Sequence, residues 1–186
     1  MKRLLDLVIA VLAACIFAIP LLLIALFVHF TSRGPILYWS VRIGRGGHTY
    51  EMPKFRSMRI DTPQVATHLL VNPDEWLTPI GAFLRKSSLD EIPQLWSILR
   101  GDMSFVGPRP ALFNQIDLIE LRKSAGIDVL LPGLTGWAQI NGRDELSTLE
   151  KVKLDEEYLK NYSTFFDLKI ILLTFIKVLS GDDISH

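Results

Sequence analysis

The sequence predicts a mainly α fold carrying one small β-hairpin, an α+β arrangement, and three features point to it. An almost charge-free apolar run extends from Leu4 to Phe30. Two stretches of β-forming residues then flank the turn signal Gly44-Arg45-Gly46-Gly47. From Ile80 onward, apolar residues recur at helical spacing in short segments separated by Gly and Pro.

Asp6 is the only formal charge between Leu4 and Phe30, and about 27 residues exceed the roughly 20 that a bilayer-spanning helix needs. A signal peptide fits poorly: the run is too long, Pro20 lies inside it, and no small-x-small cleavage site precedes Thr31-Ser32-Arg33. Lys2 and Arg3 precede the run, and Arg33, Arg42 and Arg45 follow it, so both flanks have cytoplasmic character. Pro20 removes a backbone donor near the middle and favours a bend. Composition leaves two readings equally open: a helix that returns at Pro20 to the face it entered, and a spanning helix with a tolerated kink.

Ile36 to Ile43 reads as a strand, and His48 to Met52 as its hairpin partner. Asp61 to Pro79 contains three X-Pro pairs and reads as a loop around one short helix. Helices are expected over Ile80 to Lys86, over Leu89 to Leu99 with a stop at Gly101, and over Phe113 to Lys123. Leu149 to Leu159 reads as a solvated acidic helix. Phe165 to Leu179 is apolar but shorter than a span, which suits either the core or the membrane interface.

Lys and Arg number 20, Asp and Glu 20, so bulk charge points to neither nucleic acid nor an acidic partner. The distribution is uneven. Arg33, Arg42, Arg45, Lys54, Arg56 and Arg59 face only Glu51 between residues 31 and 60, a pattern suited to anionic lipid or phosphate. The chain has one cysteine, Cys15, which excludes an internal disulfide. Its four histidines show no metal-ligand spacing.

Three segments carry candidate chemistry. In Leu84 to Leu95, the adjacent carboxylates Asp90 and Glu91 open a helix just after Arg85 and Lys86. Ser88-x-x-Glu91 also has the spacing of a capping box, the commoner use of such residues. Gly101 to Pro110 fixes Arg109 between two prolines, and a guanidinium so held suits bidentate phosphate binding; a tight turn with an exposed arginine is the plainer reading. Pro132 to Arg143 mixes glycines with Trp137, Gln139 and Asn141, without P-loop or dinucleotide spacing.

With Lys54-Phe55-Arg56-Ser57-Met58 and Asp167-Leu168-Lys169-Ile170, these segments resemble, in order and over nearly the whole chain, the bacterial sugar transferases, the small monotopic phosphoglycosyl transferases. The resemblance implies a re-entrant membrane helix over residues 1–32, broken near Pro20, and a catalytic domain over 33–186 with interfacial helices. It implies that sugar-1-phosphate passes from a UDP-sugar to undecaprenyl or another polyprenol phosphate in the bilayer, with UMP released. Asp90 would be the nucleophile and a ligand of Mg²⁺, assisted by Glu91. Lys54, Arg56, Arg85, Arg109, Gln139 and Arg143 would bind substrate phosphates. The expected location is the cytoplasmic face of a bacterial inner membrane, and the oligomeric state, a homodimer included, stays open. Ile19 departs from relatives with serine before the proline, and Pro53 is expected to end the second strand early. The rival readings are a non-catalytic membrane adaptor, a membrane-bound UDP-sugar hydrolase and a single-pass protein.

Overall fold

The computed structural model describes residues 2–63, 72–142 and 145–180. Its architecture is mainly helical with two small two-stranded sheets. Helix α1 covers Lys2–Thr31 as a single element with Pro20 inside it. Apart from Asp6, Ala10, Ile24 and Val28, which are buried, most of its side chains are partly or fully exposed.

The hairpin pairs β1 (Leu37–Ile43) with β2 (Thr49–Phe55), in a register running from Leu37↔Phe55 to Ile43↔Thr49. Gly46 and Gly47 occupy the left-handed region in the turn, at φ 67° and 80°. The second strand does not stop before Pro53; it continues to Phe55. The Arg56 N–H donates to the Ile36 carbonyl, and bonded pairs alternate in an antiparallel ladder, so Trp39↔Pro53 is a non-bonded pair. The missing proline donor therefore points away from the partner strand.

A 3₁₀ turn, Pro73–Trp76, forms the short helical piece expected in the loop, and 64–71 lies outside the described residues. Helix α2 (Gly81–Lys86) follows. The helix expected from Leu89 is instead a 3₁₀ turn over Leu89–Gln94 that leads into α3 (Leu95–Arg100). Pro93 explains the difference, since an α-helix starting at Leu89 would need the N–H of residue 93 for the Leu89 carbonyl, and proline has none. Gly101 closes α3 at φ 99°.

Strand β3 (Ser104–Val106) pairs in parallel with β4 (Gly133–Thr135), a sheet the sequence reading did not contain. Helix α4 (Ile116–Ser124) starts later than expected because the Gln115 side chain accepts the Leu112 N–H and holds 112–115 as a turn. Helices α5 (Trp137–Ile140), α6 (Thr148–Lys160) and α7 (Thr164–Ser180) complete the chain. The acidic helix is not uniformly solvated: Asp155 and Tyr158 of α6 are each 1% exposed.

Three apolar clusters join these parts. One end of α1 packs Ala10 with Met52, Leu95, Ile98 and Met103, and the other packs Ile24 and Val28 with Phe55 and Leu84. The third gathers Val106, Ile140, Tyr158 and Ile170. The ends of α1 also carry polar ties. Lys2 forms a 2.6 Å ion pair with Asp167, whose other oxygen accepts from Tyr158, and Arg3 donates to the Ile98 and Leu99 carbonyls at the end of α3. Asp6 accepts from the Ser104 hydroxyl and the Phe105 N–H, both at 3.1 Å.

Gly133 sits where β4 meets the Gly107 backbone, and a Cβ there would collide with the Gly107 nitrogen and the Thr135 carbonyl oxygen. Backbone on both sides cannot yield as a side chain would. Gly133→Ala is therefore expected to destabilise the fold by about 1–3 kcal/mol or more, read as a lower denaturation midpoint.

Candidate active site

Asp90 and Glu91 lie in the first turn of the 3₁₀ segment, between α2 and α3. Ser88, just before them, takes a left-handed backbone (φ 55°), and its side chain caps nothing. The capping box suggested by Ser88 and Glu91 is therefore absent. A real one occurs at α6, where Ser147 Oγ accepts the Glu150 N–H and Glu150 accepts the Ser147 N–H. With capping removed as their role, the two carboxylates have separate environments.

Glu91 points to β2, where Lys54 Nζ lies 2.7 Å from its Oε1, and Arg109 Nη2 lies 3.8 Å from the same oxygen. Asp90 is 8% exposed, and its carboxylate makes no hydrogen bond or ion pair among the described residues. Burial raises its pKa above the usual carboxylate value; the charge of Lys54 opposes that, Glu91 adds to it, and Arg85 and Arg109 oppose it. It is thus a carboxylate set among cations yet tied to none of the described ones. Arg85 stands in the last turn of α2, with Nη1 3.3 Å from Met58 Sδ.

Arg109 is held without its neighbours' N–H groups, since residues 108 and 110 are both proline. The turn is fixed through its carbonyls instead. The Pro108 oxygen accepts from the Gly133 N–H at 2.9 Å, and the Arg109 oxygen accepts from Arg122 Nη1 at 2.7 Å. The Pro110 oxygen accepts from Arg42 Nη1, and the Ala111 oxygen from the Ile43 N–H, both at 3.0 Å. Arg122 is itself clamped by Asp155 Oδ2, at 2.9 Å from Nε and 2.7 Å from Nη2.

Lys54, Glu91 and Arg109 line one cleft together with Arg42, Gln94 and Gly133. Three of the residues expected to bind phosphate have other or more distant positions. Arg56 is 5% exposed and donates through Nη2 to the Ser32 carbonyl and hydroxyl, closing the end of α1 rather than lining the cleft. Gln139 donates to the Leu134 carbonyl at 2.9 Å, and its own oxygen is buried without a partner among the described residues. Arg85 reaches the site through its charge on Asp90. Arg143 lies outside the described residues. Sequence reasoning missed Arg42, Gln94 and Arg122 as site residues; Arg42 left a trace as one member of the basic segment, and Gln94 as part of the Leu84 to Leu95 segment.

The bacterial sugar transferase family model matches residues 1–181. An uncharacterized sugar transferase of Bacillus subtilis, EpsL, is 42% identical, the match covering 100% of this chain and 91% of the relative. The exopolysaccharide production protein ExoY of Rhizobium meliloti is 39% identical over 93% of this chain and 83% of its own. The UDP-glucose:undecaprenyl-phosphate glucose-1-phosphate transferase of Escherichia coli is 41% identical over 95% of this chain, which spans only 40% of that larger protein. On the extent of these matches, the chain belongs to the bacterial sugar transferase family and is a transferase.

Proposed function

We propose that the chain transfers sugar-1-phosphate from a UDP-sugar to undecaprenyl or a related polyprenol phosphate, through an aspartyl intermediate on Asp90. The observation that carries this reading is a buried carboxylate, surrounded by cations, with no hydrogen bond or ion pair of its own among the described residues. An Asp90 oxygen attacks the sugar-bearing phosphorus, the phosphoanhydride bond breaks, and UMP leaves with the bonding electrons. A phosphate oxygen of the acceptor then attacks the same phosphorus and the acyl-phosphate bond breaks, restoring the carboxylate and giving polyprenol diphospho-sugar. Splitting the transfer in two lets a water-soluble donor and a lipid acceptor use one site in turn. Lys54 and Arg109 hold Glu91 beside the nucleophile and spread positive charge over the phosphate oxygens. Glu91 is placed to take a proton from an incoming acceptor phosphate.

Mg²⁺ fits this donor set. It is commonly held by one or two carboxylates together with substrate phosphates. Asp90 offers one unengaged carboxylate, and no group of three or more metal-ligating side chains occurs among the described residues. Bound by Asp90, Mg²⁺ would supply charge that offsets repulsion between the carboxylate and the phosphate.

The re-entrant reading of residues 1–32 is supported by the ties at both ends of α1. Lys2, Arg3 and Asp6 hold one end to α3, β3 and α7, while Ser32 and Val28 hold the other to Arg56 and Phe55. One folded unit cannot grip both ends of a helix from opposite sides of a bilayer. The exposed apolar residues between the ties, such as Ile16 and Ile19, would then enter a single leaflet, with the catalytic domain at the cytoplasmic face. The exposed apolar side chains of α7, among them Leu172 and Phe175, suit the interface.

The test is a screen of UDP-sugars with undecaprenyl phosphate and Mg²⁺, measuring UMP and lipid-linked product. Turnover of UMP beyond one equivalent per chain that depends on the acceptor, with a phospho-sugar mass added to the Asp90 peptide when acceptor is withheld, is the expected result. Repeated release without acceptor, beyond one UMP per chain, would identify a hydrolase, and no release with any UDP-sugar would dismiss the proposal. Labelling of a cysteine placed at residue 2 from only the side that labels the catalytic domain, in sealed vesicles, is expected for re-entry.

A further inference from the structure

We infer that Arg42 is a second phosphate-binding guanidinium of the cleft, anchored through Pro110 beside Arg109 and directed at the diphosphate of the donor. The inference rests on the transferase reading for the identity of its ligand.

Arg42 belongs to β1, opposite Tyr50 of β2, and lines the same cleft as Lys54, Glu91 and Arg109. Two of its nitrogens are committed: Nε donates to Ser40 Oγ at 2.9 Å and Nη1 to the Pro110 carbonyl at 3.0 Å. Nη2 has no hydrogen bond among the described residues, and no carboxylate forms an ion pair with the side chain. The contrast with its neighbours is sharp. Lys54 and Arg109 both lie on Glu91, and Arg122 is paired with Asp155. Among the described residues, Arg42 alone of these cations is held in place by neutral acceptors and forms no ion pair.

A partly buried cation with no ion-pair partner among the described residues carries a desolvation cost that an anion can offset. Burial, with the nearby charge of Arg109, lowers the pKa of Arg42 to about 10, while Tyr50 and Glu91 act in the opposite sense. It therefore remains charged at neutral pH, next to a second guanidinium that repels it. An anion bridging Arg42 and Arg109 relieves both the desolvation and the repulsion. Two phosphates joined in one ligand match two guanidinium groups better than a single phosphate does. The Pro110 tie also makes Arg42 a positioning residue, because it fixes the turn from which Arg109 projects.

The experiment measures binding of inorganic diphosphate to the full chain in detergent, without metal and without turnover. Arg42→Gln is expected to weaken that binding by at least about tenfold, and Arg42→Lys to recover part of the loss because it keeps the charge. In catalysis, KM for the UDP-sugar should rise more than kcat falls. Diphosphate affinity in Arg42→Gln within twofold of the wild type would overturn the inference. Should Arg42→Gln not fold, the wild-type chain is treated with an arginine-selective dicarbonyl reagent. Protection of Arg42 by diphosphate is expected, and equal modification with and without diphosphate would reject the role. Failure of the transferase reading looks different: diphosphate would still bind through Arg42, while no UDP-sugar releases UMP.

Discussion

Replacing Asp90 by asparagine is expected to abolish UMP release, by on the order of 10³-fold or more, and at the same time to stabilise the fold at neutral pH. The first effect follows from the loss of the attacking oxygen; an amide of the same shape leaves the 3₁₀ turn and its neighbours in place. The second follows from burial. Asp90 has a folded-state pKa above its ordinary value, chiefly through desolvation, so the fold resists ionising it. That cost is fully present above the folded pKa and absent below the unfolded one. Asp90→Asn should therefore melt at a higher temperature than the wild type near pH 7, and the difference should shrink as pH falls through the folded pKa. For turnover the sign is opposite: wild-type activity requires the ionised carboxylate and should decline on acidification at a pH above the usual carboxylate range. Thermal melts at several pH values, alongside UMP release, check both parts. A variant that is inactive but no more stable at neutral pH would contradict the buried, unpaired state assigned to Asp90.

Arg122→Ala is expected to destabilise the fold by about 3–5 kcal/mol, because it leaves the Asp155 carboxylate buried and unpaired. The Arg122 and Asp155 side chains are 11% and 2% exposed, and both Nε and Nη2 of the arginine lie on one carboxylate oxygen. The Asp155 pKa is already raised by desolvation and held down by Arg122, so removing the arginine raises it further. The loss should be largest at neutral pH and smaller in acid, where Asp155 can protonate. Denaturant unfolding at two pH values measures this. The pair also has a catalytic consequence, since Arg122 Nη1 supports the Arg109 carbonyl. The double change Arg122→Met and Asp155→Leu should regain most of the stability, as apolar replacements of buried ion pairs often do, yet leave turnover impaired. Full activity in that double variant would show that the Arg109 turn needs no such support.

Much of the fold was legible because its signals are local. Apolar composition alone marked α1, β-formers around Gly44–Gly47 marked the hairpin, and Gly101 marked the end of α3. The parallel pairing of β3 with β4 was not legible. Each strand has three residues, too few for a periodic signal, and their pairing joins segments about 30 positions apart. Pro53 shows a similar limit, because its tolerance depends on which side of the ladder its nitrogen faces.

The sequence by itself determined the apolar N-terminal helix, the hairpin, the adjacent carboxylates and the proline-framed arginine, all properties of composition or near-neighbour spacing. Only the tertiary structure decided which cations serve the cleft. It moved Arg56 to the end of α1, brought Arg42 in from β1, and set Arg122 behind Arg109. Charge acts over a few ångströms of space regardless of separation along the chain, so residues tens of positions apart became one site when the backbone brought them together.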